Sequence, residues 1–159
     1  MYQMQFSAKQ DIDAPIEAVF AAVTDFDGFS TQALRRGAEV QRLDELMGPC
    51  AGMAWQVGFD FRGKRRDMRI ELLEVIQPSE LKVRSATSGL DGHLMLELVA
   101  LSRQRTRLGV EVELAPKTLS ARLLVQSLKL ARGSLSKRLR KRLEGFARAT
   151  EETHRHTSA

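Results

Sequence analysis

The residues of this 159-residue chain whose types could do chemistry are three histidines, one cysteine and a set of arginines that fall beside apolar stretches. His93 and Glu97 are four apart in an alternating segment, which would put them on one face of a strand but ~13 Å from each other, too far for a proton-transferring pair. His154 and His156 fall in "EETHRHTSA", which reads as a disordered tail, and two histidines without further ligands make no metal site. Cys50 follows Pro49 in a Gly/Pro-rich turn, with no helix start or histidine near it in sequence to stabilise a thiolate, and reads as structural. No Ser/His/Asp spacing, phosphate-cradling glycine loop or paired-cysteine set occurs, and nothing in the sequence calls for a metal or a cofactor. The chemistry that remains is recognition. By alternation Arg66 shares a face with Met68 and Ile70, and Thr106 with Leu108. Arg142 falls on an apolar helical stripe, where a guanidinium enclosed by apolar groups must meet an anion or a carboxylate. Either arginine could anchor an acidic head group, or snorkel from the edge of an ordinary core.

The elements that would position these groups are mostly strands. Residues 4 to 12 alternate Met4, Phe6 and Ala8 with polar neighbours. A helix follows, capped by Asp13 or Ala14, with Pro15 in its first turn and Ile16, Val19, Phe20 and Val23 at helical spacing. A break at Asp27-Gly28 introduces a second short helix with Phe29 and Leu34 on one side. From Gly37 to Leu114 six strands are expected, at 38–44, 52–61, 65–76, 80–87, 93–102 and 105–115, and their short connections imply antiparallel neighbours. After Pro116 the period becomes helical, and Leu124, Leu128, Ala131, Leu135, Leu139 and Phe146 form one stripe over about eight turns. Gly133 and Gly145 interrupt that helix and could bend it.

The densest apolar face belongs to "GMAWQVGFDFRGKRRDMRIELLEV" (52–75), which reads as a hairpin. Trp55, Val57 and Phe59 on one strand and Met68, Ile70 and Leu72 on the next would form either the wall of a ligand cavity, completed by Leu96 and Leu135, or plain core. The indole N–H of Trp55 could orient an occupant, and Met68 could adapt to its shape.

Charge is laid out unevenly. Residues 1–116 carry 14 basic and 17 acidic groups, whereas residues 117–150 carry 10 basic and one acidic, so the net charge of +5 resides in the C-terminal segment. Its basic face, with Lys137, Arg140 and Lys141, fits an anionic membrane surface or a solvated exterior. The segment has no interleaved aromatics for base stacking, so nucleic acid is not an expected partner. No apolar run reaches the ~20 residues that span a bilayer, and no basic-then-apolar leader opens the chain, so the cytoplasm is the expected compartment.

"IDAPIEAVFAAVTDFDGF" (12–29), together with "TRLGVEVEL" (106–114) and the long helical segment after it, resembles the START-like superfamily of polyketide cyclases/dehydrases and lipid transport proteins. The resemblance covers essentially the entire chain, as one domain over residues 1–152. It implies an α+β helix-grip fold: a seven-stranded antiparallel sheet curled around a long C-terminal helix, with two short helices after the first strand. It also implies a hydrophobic cavity between sheet and helix for a lipid, polyketide or isoprenoid-like molecule, used by a carrier. Two other roles fit the same sequence: an enzyme of the cyclase or dehydrase kind, and an RNA- or membrane-binding module that uses the basic helix.

Overall fold

The computed structural model describes residues 3–158. Its order is β1 (Met4–Ile12), α1 (Ile16–Val23), α2 (Phe26–Arg35), β2 (Glu39–Arg42), β3 (Ala54–Phe61), β4 (Lys64–Ile76), β5 (Glu80–Thr87), β6 (Leu90–Ser102), β7 (Arg105–Pro116), α3 (Leu119–Leu130) and α4 (Arg132–Ser158). The seven strands make one antiparallel sheet in the order β1-β7-β6-β5-β4-β3-β2. The α+β architecture expected from the sequence is the one observed, with every strand limit within three residues of its expected place and those of β1 and β5 coinciding with it.

The register shows why one face is apolar. Across the sheet, Phe6 pairs with Val112, Val112 with Leu94, Leu94 with Val83 and Val83 with Leu72. A parallel row runs from Met4 through Leu114, Gly92, Ser85, Ile70 and Trp55 to Arg42. Period-two alternation, interrupted by register shifts after Leu72 in β4 and after Ala100 in β6, therefore collects the apolar residues on one side. The β3–β4 connection places Arg62 at φ 52° and Gly63 at φ 73° between the paired Phe61 and Lys64, a two-residue turn of the kind that matches strand twist. The sheet is open, with β1 and the four-residue β2 as its edges.

Four expectations about the helices are corrected. The residue that caps α1 is Pro15, not Asp13 or Ala14. Asp27-Gly28 does not break the chain: it lies in the first turn of α2, because the Asp25 carboxylate accepts the Gly28 N–H at 3.1 Å and starts the helix there. The C-terminal stripe is shared by two helices, since the backbone leaves helical geometry at Ala131, two residues before Gly133. Residues 153–158 are the last turns of α4 and not a disordered tail. Glu151 accepts the Asp13 backbone N–H at 2.8 Å and His154 Nε2 lies 3.3 Å from the Gln104 amide oxygen, so this end is tied to the domain.

The core gathers at one end of the apolar face. Ile12, Val19, Phe20, Val23, Leu72 and Leu108 are buried together with Leu143 and Ala147 of α4. The α4 helix runs along β1 and touches α1, whereas α3 packs on β7. No helix among the described residues is long and apolar enough to cross a membrane.

Candidate functional site

Because α4 follows the β1 edge, the middle of the apolar face is only partly covered. Phe6, Val57, Ile70, Val83, Leu94 and Val112 each remain half-buried, although each packs on a neighbour belonging to the same face. They form a partly exposed apolar band, the trough, with β1 and α4 along one side and β3 and α2 along the other. Gly92 and Ser85 lie opposite each other near its centre, and a Cβ on Gly92 would meet the Ser85 Oγ at 2.5 Å. Small residues there lower the floor between Ile70 and Leu114.

Aromatic rings close part of the rim. Phe26 of α2 meets Trp55 edge-on with centroids 5.0 Å apart, and Phe29 meets Phe146 of α4 at 6.4 Å. Thus α2 leans on both walls. Beside it, a cleft of about 430 Å³ opens between α2 and β3, lined by Phe29, Ala33, Arg36, Phe59 and Asp60 among others.

The polar groups on this face are few, and most are engaged. Thr106 is fully buried and donates its hydroxyl to the Ala14 carbonyl at 2.8 Å, fixing the approach to α1. Thr87 donates to the Asp67 carbonyl at 2.8 Å. Arg42 lies over the Trp55 ring at 5.2 Å and makes a two-pronged bond to Asp44 at 2.7 and 2.9 Å. Asp44 also accepts the Ala54 and Leu46 N–H groups, so its carboxyl is held well below the usual carboxylate range, first by the Arg42 bond and then by these amides. Arg66 folds back over Phe61 at 5.6 Å and donates to the Phe61 carbonyl at 3.3 Å. Among the described residues, no strand directs an aspartate, glutamate or histidine onto the trough floor.

The expected site residues divide into three groups. Val57, Met68, Ile70 and Leu96 are half-buried on the trough face, Phe59 lines the α2 cleft, and Leu135 is half-buried on α4. Trp55 and Leu72 share that face but belong to the closed core, at 9% and 1% exposure. Arg66 is at the rim, held by Phe61. Arg142 is exposed on α4 and is not brought to the trough, because the stripe is centred on Leu139, Leu143 and Ala147 and leaves Arg142 at its edge. Val83, Leu94, Val112, Phe6, Ser85 and Phe146 were not among the site expectations. Alternation marks their faces, but only the cross-strand register brings them to one place.

The family model for polyketide cyclase/dehydrase and lipid transport matches residues 3–151, and the chain belongs to that family. Members of it bind hydrophobic ligands or act as cyclases. The Zhui aromatase/cyclase of a Streptomyces species is similar in structure, with TM-score 0.67, 12% identity and 94% of each chain covered. A START superfamily protein from Mycobacterium smegmatis superposes with TM-score 0.62 at 13% identity, covering 96% of this chain and 98% of that one. Norcoclaurine synthase from Thalictrum flavum, solved with dopamine and hydroxybenzaldehyde, gives TM-score 0.67 at 12% identity, covering 94% of this chain and 87% of that one. At these identities the likeness is one of fold. No curated protein matches the sequence.

Proposed function

We propose that this protein is a carrier that binds a hydrophobic small molecule, a lipid, polyketide or isoprenoid-like compound, in the trough between the concave sheet and α4. The observation that carries the reading is the row Phe6, Val112, Leu94 and Val83, continued one row over by Ile70: apolar side chains on one face that the protein's own helices leave partly exposed. Covering such a surface with an apolar guest contributes about 25 cal/mol per Å² removed from water. The Ser85 hydroxyl is the polar contact we assign to the guest, and the compartment we assign to the protein is the cytoplasm.

Binding is favoured over catalysis by what the floor carries. A cyclase or dehydrase needs an acid or base within hydrogen-bond reach of its substrate. The arginines on this face, Arg42 and Arg66, are already engaged by Asp44 and by Phe61. Native mass spectrometry of freshly purified protein tests the reading: an apolar compound should accompany the chain and be lost in Leu94→Arg, which sets a charge at the centre of the floor. If no compound accompanies it and a fluorescent apolar probe binds the parent no better than Leu94→Arg, the reading fails.

A further inference from the structure

The α3 helix is apolar on two opposite sides. Ala121 and Val125 are buried against the domain, and Leu124 and Leu128 beside them are half-buried. At 100° per residue, Leu119, Leu123 and Leu130 cluster on the side opposite to these. They are 72%, 65% and 93% exposed. A helix with leucines on its outer side leaves them in water unless something covers them.

The charges around these leucines indicate what does. Lys129 falls within α3 and Arg132 follows two residues after Leu130, while Lys117, just before the helix, pairs with Asp91 at 3.8 Å; no acidic residue occurs between Lys117 and Leu143 in the chain. Exposed leucines beside cationic side chains are the pattern of a helix that lies in a membrane interface, its apolar side among acyl chains and its cations among anionic head groups.

A second feature of like chemistry occupies the same end of the sheet. The start of α3 is tied to the β5–β6 turn by the Lys117 N–H donating to the Gly89 carbonyl at 2.6 Å. On that side β4 pairs with β5 only from Met68 onward, so Lys64–Asp67 and the turn before them project past β5. The tip presents Phe61, 40% exposed, under the guanidinium groups of Arg62 and Arg66 at 5.3 and 5.6 Å. Leucines with cations at one corner and a phenylalanine with cations at the other suit one extended, negatively charged, apolar-cored partner.

We propose that α3 and the β3–β4 tip dock this protein on an anionic lipid bilayer, with Leu119, Leu123 and Leu130 entering the interface. Docking requires no guest in the trough, so it is measured separately from ligand binding and neither result decides the other. The test is co-sedimentation of the full chain with phosphatidylcholine vesicles, with and without phosphatidylserine. Binding should require phosphatidylserine and weaken as salt rises. The combined variant Leu119→Ser/Leu123→Ser/Leu130→Ser should bind more than about tenfold more weakly, with an unchanged thermal midpoint because these side chains are exposed. Lys129→Glu/Arg132→Glu should also lose binding. Absence of binding to phosphatidylserine vesicles would overturn the proposal, as would retained binding in the serine variant. So would light scattering that shows the leucines holding two copies of the chain together with no vesicle binding.

Discussion

The Phe29 ring of α2 lies 6.4 Å from the Phe146 ring of α4, and that contact joins the two walls of the trough. Through Phe26, the same helix rests on Trp55. The α2 helix is thus a bridge whose two aromatic supports stand on opposite sides.

Removing one support should open the bridge at small cost in stability. Phe29→Ala is expected to destabilise the protein by about 1 kcal/mol, the worth of one aromatic pair, since Phe29 is 40% exposed. It should also speed release of a fluorescent apolar probe in stopped-flow. An unchanged release rate would show that α2 does not gate the trough.

The distinction between core and trough predicts unequal costs for equal truncations. Leu72→Ala, at a site 1% exposed, should cost about 2–5 kcal/mol in chemical denaturation. Leu94→Ala removes a partly exposed side chain from the same face and should cost roughly half of that or less. Equal losses would mean that the trough is closed in solution.

Thr106→Val should cost about 1–3 kcal/mol although it nearly preserves shape, because the Ala14 carbonyl loses its buried donor at 2.8 Å. Urea denaturation of Thr106→Val beside Thr106→Ser separates the two groups, since serine keeps the hydroxyl and should recover most of the loss. A Thr106→Val variant as stable as the parent would show that the Ala14 carbonyl does not depend on this donor.

Asp44 gives a pH-dependent term of definite sign. Its folded pKa is lowered from 3.8 by Arg42 and by two amides, so the stability it contributes is present above about 4 and is lost as pH falls through the lower folded value. Asp44→Asn should therefore lower the thermal midpoint at neutral pH. The gap to the parent should narrow steadily in acid below about pH 4. A gap that stays constant across that range would assign the loss to packing instead of charge.

Much of this architecture could be read from residue order because alternation and turn glycines are local signals. The limits of β1 and β5 and the Arg62-Gly63 turn follow from them directly. Less legible were features decided by side chains reaching out of their own pattern. Asp25 carries α2 through a dipeptide that reads as a break, and Glu151 fastens a tail whose composition suggests disorder. The site was legible in part. Val57, Met68 and Ile70 reach the trough, while Trp55 and Leu72, indistinguishable from them by alternation, end beneath the core helices. That division depends on where the helices lie over the sheet, with Trp55 under Phe26 of α2, and no periodicity within a strand encodes it. Nor does an angular count along a helix tell a residue at the margin of a stripe, such as Arg142, from one at its centre.

The shortness of β2 bears on how the protein behaves when crowded. It shields β3 only from Trp55 to Gly58, which leaves the backbone of Phe59, Asp60 and Phe61 without a neighbouring strand on that flank. A bare stretch of this kind can recruit a foreign segment and seed fibres. Here Arg65 spans the flank, reaching Glu39 at 3.1 Å and Asp60 at 3.7 Å, so an arriving chain would have to displace charges before it could form its first rung.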